Sequence, residues 1–174
     1  MTYTAARRSS TRDIFIEGWG RLGPSWGISK MMAEIYALLY VSPGPLTLEE
    51  MSRQLETSRS NISTNVRALG DLGVVHKVIV RGERKDYYTA EDDITKVAKL
   101  LALAKKRKEL DPAMEIVDKA LAAAEDAGES DIARKLDELK RHMDFVNAIF
   151  QAFAGGETDP KGLANVIRVK NALS

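Results

Sequence analysis

At Gly73 the chain changes period. Ahead of it Ile62, Val66 and Leu69 recur at steps of four and three, the repeat of a helix with one buried stripe. Behind it the run Val74-Val75-His76-Lys77-Val78-Ile79-Val80 is rich in β-branched residues and reads as a strand. The helix is expected from Ser58, capped by Ser58 or Thr57, to about Leu72, with Gly73 as its C-cap. Before it, Thr47-Leu48-Glu49-Glu50 is a Thr-x-x-Glu capping box whose carboxylates also favour the positive end of a helix; Leu48, Met51 and Leu55 form that helix's apolar face. After the strand, Arg81-Gly82-Glu83-Arg84 is a turn, and Lys85-Asp86-Tyr87-Tyr88-Thr89 returns. Helix, turn, helix and basic-tipped hairpin is the order of a winged helix-turn-helix.

The flanks are helical. One helix is expected over Thr11–Leu22, with Ile14, Phe15, Trp19 and Leu22 apolar and Gly18 and Gly20 weakening it. A second, from Ser29 to Val41, is apolar nearly all round and so should be buried on most sides; Ser42-Pro43-Gly44-Pro45 stops it. Beyond Thr89, Glu91-Asp92-Asp93 open a helix ending near Lys105-Lys106-Arg107-Lys108, Asp111-Pro112 restarts one, and Gly128 follows its end. A long helix should span Asp131–Ala154, followed by a last short one after Asp159-Pro160 carrying Leu163, Val166 and Ile167. In the long helix Ile132, Leu136, Leu139, Met143, Val146, Phe150 and Phe153 recur at four and three without a miss, the seam of a coiled coil. The expected fold is mostly α with a small β-hairpin. Residues 1–90 would form the winged helix-turn-helix with its N-terminal helices, and residues 91–174 a helical dimerisation and effector region.

Composition excludes several classes. The 174 residues are 44% hydrophobic and 29% charged, which suits a folded core and not a disordered tail. Absent Cys excludes disulfide scaffolds, zinc fingers and thiol chemistry. The longest charge-free run, Ile35 to Leu48, is too short for a bilayer, and no apolar stretch follows Arg7 and Arg8 as in a signal peptide, so a cytoplasmic protein without a membrane partner is expected. Net charge is only +1, but residues 1–46 hold five Lys/Arg to three Asp/Glu, residues 47–90 seven to six, and residues 91–174 fourteen to sixteen. No phosphate loop or metal-ligand spacing occurs, and His76 and His142 lie far apart, so neither catalysis nor a cofactor is expected, nor any pocket joining either histidine to carboxylates.

With Ile62, Val66 and Leu69 turned inward, Ser60, Ser63, Thr64 and Arg67 face the other way, and Arg59 and Asn61 flank the helix start. Short hydroxyls, an amide and guanidinium groups can meet phosphates and base edges in a major groove without bulk. Arg81, Arg84 and Lys85 at the hairpin tip would follow the backbone or enter the minor groove. Each feature also has a plainer account: a solvated helix face, and a charged edge that blocks sheet aggregation. A winged-helix module that binds protein is the competing function. The seam from Ile132 to Phe153 could join two copies or pack within one chain.

The run Thr47–Tyr88, with Leu48-x-x-Met51-Ser52-x-x-Leu55, Ser58-Arg59-Ser60-Asn61-Ile62-Ser63, Leu69-x-x-Leu72-Gly73-Val74-Val75 and Gly82-Glu83-Arg84-Lys85-Asp86-Tyr87-Tyr88, resembles MarR-type regulators. Trp26-Gly27-Ile28-Ser29-Lys30 and Ala33–Tyr40 resemble the GbsR branch more closely. The resemblance covers about residues 12 to 110 and implies a homodimeric repressor or activator of transcription binding double-stranded DNA, one helix per half-site. It implies that Arg84 contacts DNA while Asp86 braces the wing. It also implies a small-molecule effector such as a quaternary ammonium compound, for which Trp19, Trp26, Tyr36 and Tyr40 could form an aromatic cage; a buried aromatic core explains the same residues.

Overall fold

The computed structural model describes residues 10–155. The chain divides into two compact units, Met1–Ala98 and Lys99–Ser174. Arg7, Arg8 and the short helix expected after Asp159 lie outside the described residues.

In the first unit, α1 (Thr11–Leu22) starts at a capping box: the Ser10 hydroxyl accepts from Asp13 N–H at 3.1 Å, and Asp13 Oδ2 accepts from Ser10 N–H at 3.0 Å. The buried residues of α1 are Ile16 and Gly20; Ile14 and Leu22, expected on its apolar side, are 61% and 48% exposed. The reason is the partner helix α2 (Lys30–Tyr40), which α1 approaches along the Gly20 side. A Cβ on Gly20 would stand 2.6 Å from Glu34 Cγ, so this glycine admits the close approach. Phe15 and Trp19 remain half-buried beneath it, in a row of rings that includes Trp26 and Tyr40. Ser29 caps α2, which buries Ala33, Ile35, Tyr36, Ala37, Leu38 and Leu39. The expectation of a helix covered on most sides holds.

α3 (Leu48–Gln54) and α4 (Arg59–Asp71) form the helix-turn-helix. The capping box at Thr47 is present, with Glu50 Oε2 accepting from Thr47 N–H at 2.7 Å. Between the helices Glu56 takes φ +49°, a conformation costly for a residue with a side chain. It is held by the Ser52 hydroxyl, which donates to the Thr57 carbonyl at 2.5 Å. Ser58 caps α4, and Ile62, Val66 and Leu69 are its buried stripe. Gly73 at φ +76° turns the chain, with Val74 N–H reaching back to Leu69 O at 3.1 Å.

The wing is β2 (Val75–Val78) against β3 (Tyr87–Ala90), antiparallel, with Val75 opposite Ala90 and Val78 opposite Tyr87. Both strands are shorter than the period suggests, and Ile79, expected inside the first, is 96% exposed beyond the ladder. A third strand, β1 (Leu46–Thr47), which sequence reasoning missed, pairs on the far side of β3, giving the order β1-β3-β2.

α5 (Ile94–Lys105) follows, its start capped by Asp93 Oδ1 accepting from Lys96 N–H at 3.0 Å. In the second unit a helix starts at Asp111 with Pro112 in its first turn, as expected, but no break precedes it. The backbone stays helical through Leu110 and Asp111, and Lys106–Leu110 form a π-turn in which Asp111 N–H bonds Lys106 O. Widening the turn accommodates Pro112, which brings a ring and no N–H. α6 (Asp111–Asp126) then leads through Gly128, φ +72°, into α7 (Ser130–Gly155), which packs on it with Lys140 paired to Asp118. The fold is mostly helical, with one small antiparallel sheet and long helices. No described helix is long and apolar enough to cross a membrane.

Candidate nucleic-acid interface

Ile62, Val66 and Leu69 bury one side of α4, so the remaining side must face out. On it Arg59, Ser60, Asn61, Thr64 and Arg67 are exposed and Ser63 is half-buried. The wing residues Arg81, Arg84 and Lys85 are exposed as well. Two hollows join helix and wing. One, of about 260 Å³, brings Arg59 beside Arg84 and Lys85, with Glu49 and Asp86 on its wall. The other, of about 280 Å³, sets Ser63 and Arg67 opposite Lys77 and Tyr88. Of the predicted residues, Arg59, Arg84 and Lys85 line the first hollow and Ser63 and Arg67 the second; Ser60, Asn61, Thr64 and Arg81 line neither.

Their electrostatics differ. Arg59 Nε donates to Glu49 Oε1 at 2.6 Å, and this bond holds the Glu49 carboxyl below its usual range. Lys77 Nζ lies 2.8 Å from Asp86 Oδ1 across the wing strands, and that bond raises the lysine's pKa. Asp86 therefore ties the two strands together at the base of the tip. Arg67, Arg81, Arg84 and Lys85 form no ion pair with any other described residue. Their charge is available to an anionic partner.

The small polar side chains are partly committed within α4. Thr64 Oγ1 donates to the Ser60 carbonyl at 3.1 Å. Asn61 Nδ2 donates to Thr57 Oγ1 at 3.0 Å, and Asn61 Oδ1 accepts from Asn65 Nδ2 at 2.9 Å. Sequence reasoning missed Asn65 and Glu49: Asn65 lay between the outward and buried positions, and Glu49 was read only as a favourable charge at a helix start.

Next to the wing, His76 Nε2 lies 3.3 Å from Glu91 Oε2, and Lys96 Nζ pairs with the same oxygen. This is a surface pair, and His76 lines neither hollow. Tyr36 Oη donates to the Glu91 carbonyl at 2.9 Å, and burial raises its pKa. Trp19 and Trp26 meet edge to face at 4.9 Å between centroids, and Tyr36 stacks on Tyr40 at 5.9 Å. Among the described residues no cluster of His, Asp and Glu could hold a metal.

In the second unit the seam of α7 splits. Leu136, Met143 and Phe150 are half-buried, whereas Ile132, Leu139, Val146 and Phe153, spaced by seven, are 50%, 47%, 41% and 45% exposed. Ala148, outside the predicted seam, is buried. Packing within the chain covers one edge of the seam and leaves the other open.

No family model matches the chain. It is 35% identical over 85 residues to the HTH-type transcriptional repressor GbsR of Bacillus subtilis (strain 168), covering 49% of this chain and 47% of that protein. It is 30% identical over 69 residues to the HTH-type transcriptional repressor OpcR of the same organism, covering 40% and 37%. Over part of its length the chain is thus similar to HTH-type transcriptional regulators. The chain spans about half the length, or less, of these curated relatives. A crystal structure of a transcriptional regulator aligns with a TM-score of 0.62 at 22% identity, over 84% of this chain and 97% of that one, a likeness of fold.

Proposed function

We propose that this chain is a sequence-specific DNA-binding transcription regulator that works as a homodimer. In this reading α4 enters the major groove with Ser60, Asn61, Ser63, Thr64 and Arg67 toward base edges, and the wing lays Arg81, Arg84 and Lys85 on the backbone or in the minor groove. The observation that carries it is that helix and wing line one hollow: the hollow that seats Arg59 also seats Arg84 and Lys85. A helix face alone could be ordinary solvated surface. Unpaired cations beside it, on a hairpin with an exposed tip, favour a polyanion.

Pairing of two chains follows from the same physics. One head offers few contacts, so sequence selection is usually built from two half-sites at fixed spacing. The open row Ile132, Leu139, Val146 and Phe153 supports α7 as the joining element, since knobs repeated every seven residues fit a second helix. Repression is the favoured direction because the relatives named above are repressors.

Selection of bound fragments from a random duplex pool tests the reading. The expected winners carry an inverted repeat. Affinity should fall steeply with salt: if the three wing cations of each protomer meet phosphates, the dimer neutralises about six, for a slope of log K against log salt of roughly −5. Arg84→Ala should weaken all duplexes alike, whereas Arg67→Ala should also alter sequence preference. Binding indifferent to salt would favour the protein-interaction module instead.

A further inference from the structure

A carboxamide has two ends of nearly equal size and opposite chemistry, so the base it prefers depends on which end faces the groove. On α4 that choice is made by neighbouring groups. Met32 N–H can only donate, and it donates to Ser29 Oγ at 3.1 Å. The Ser29 hydroxyl then directs its proton to Asn65 Oδ1, 3.1 Å away. On the other side of Asn65, the main-chain carbonyl of Asn61 can only accept, and it takes Asn65 Nδ2 at 2.8 Å. Two backbone groups from different helices thus agree on how the Asn65 amide is turned. Its amino group also lies 2.9 Å from Asn61 Oδ1, which leaves Asn61 Nδ2 to donate to Thr57 Oγ1 at 3.0 Å.

The relay runs from the N-cap of α2 to the start of α4. Asn61, at its end, is exposed and keeps one amino proton and one oxygen lone pair unused. An amino donor beside a carbonyl acceptor is the complement of the adenine edge. We propose that Asn65 and Ser29 are positioning residues that fix the orientation of the Asn61 carboxamide, and through it the base preference at the pair Asn61 meets. This rests on the DNA-binding reading and adds to it a specificity element outside the groove-facing row.

The test uses the full chain in two measurements. Selection from a random duplex pool, with Asn61→Ala to locate the affected position, reads base preference; nuclear magnetic resonance of the Asn61 side-chain amide in the free protein reads its order. Asn65→Ala should lower discrimination at that one position by about 10-fold while the salt slope and the other positions hold. Ser29→Ala should loosen the same position, and Ser29→Thr, which keeps the hydroxyl, should behave as the parent chain. The Asn61 amide should be ordered in the parent chain and mobile in Asn65→Ala. Preference unchanged in Asn65→Ala or in Asn61→Ala, or an affinity loss equal for all sequences, overturns the proposal. So does a parent-chain amide as mobile as the variant's. Failure of the parent chain to bind any duplex overturns the DNA reading and the base preference together, while the amide order still decides whether the relay holds Asn61.

Discussion

Arg59 Nε stands 2.6 Å from Glu49 Oε1, so the first residue of the outward-facing helix is neutralised by the helix before it. The carboxylate occupies the hollow shared with Arg84 and Lys85, where a phosphate would also be drawn. Removing that charge should free a cation. Glu49→Gln frees one Arg59 in each protomer, so it is expected to tighten duplex binding several-fold and to steepen the dimer's salt slope by about two. Anisotropy titrations across a salt series measure both, and an unchanged slope would mean that Arg59 contributes no phosphate contact. Stability should barely change, since the pair is exposed and screened.

The open row on α7 makes a separate prediction. Leu139→Glu places a charge on a half-exposed position, so the monomer's own packing is spared. Sedimentation should show the dimer converted to monomer, with operator affinity falling in parallel. Met143→Glu should also dissociate the dimer, but it lies on the half-buried row and should lower the unfolding midpoint as well. A dimer that survives Leu139→Glu would place the interface elsewhere.

The two glycines of α1 should respond with opposite signs. Nothing lies within 4 Å of a Cβ built on Gly18, so Gly18→Ala should stabilise by about 0.5–1 kcal/mol through helix propensity. At Gly20 the same methyl meets Glu34 Cγ at 2.6 Å. Overpacking costs about 1–3 kcal/mol, which outweighs the propensity gain, so Gly20→Ala should be net destabilising. Urea unfolding of the two variants side by side gives the answer.

Acid stability should depend on Glu91. Its carboxyl is lowered from 4.5 to about 2, first by the hydrogen bond from Lys96, then by Asp93 N–H and His76. The folded value lies below the unfolded one, so its contribution is complete above about pH 4.5 and is lost as pH falls toward 2. Glu91→Gln cannot titrate. The variant should be less stable at neutral pH and lose less on acidification through that window, as read by urea midpoints at each pH. Equal acid sensitivity in the two proteins would show that Glu91 has no such role.

Much of the first unit was legible because its signals are local. The Thr47 box, the Ser58 cap, the Ile62-Val66-Leu69 stripe and the turn at Gly73 each depend on residues within a few positions of one another, and each is present. Those signals set which side of α4 is apolar and where the wing begins. They carried no information about partners distant in the chain. The β1 strand exists because Leu46 pairs with Tyr88, and two residues have no period from which to read a strand.

For the same reason α1 buries Ile16 and Gly20 rather than Ile14 and Leu22: an amphipathic pattern offers a broad side, and the α2 surface selects the line within it. Pro112 announced a break, but only the surrounding turn could reveal that a π-register absorbs it. The seam's spacing was plain in the sequence, whereas its division into a half-covered and an open row depended on where α6 lies. Short-range geometry along one backbone determined the helices, their caps and the change to β-structure. Tertiary packing decided which charges are already neutralised, which amide ends are fixed and which apolar row stays open, because those depend on side chains that only folding brings within reach.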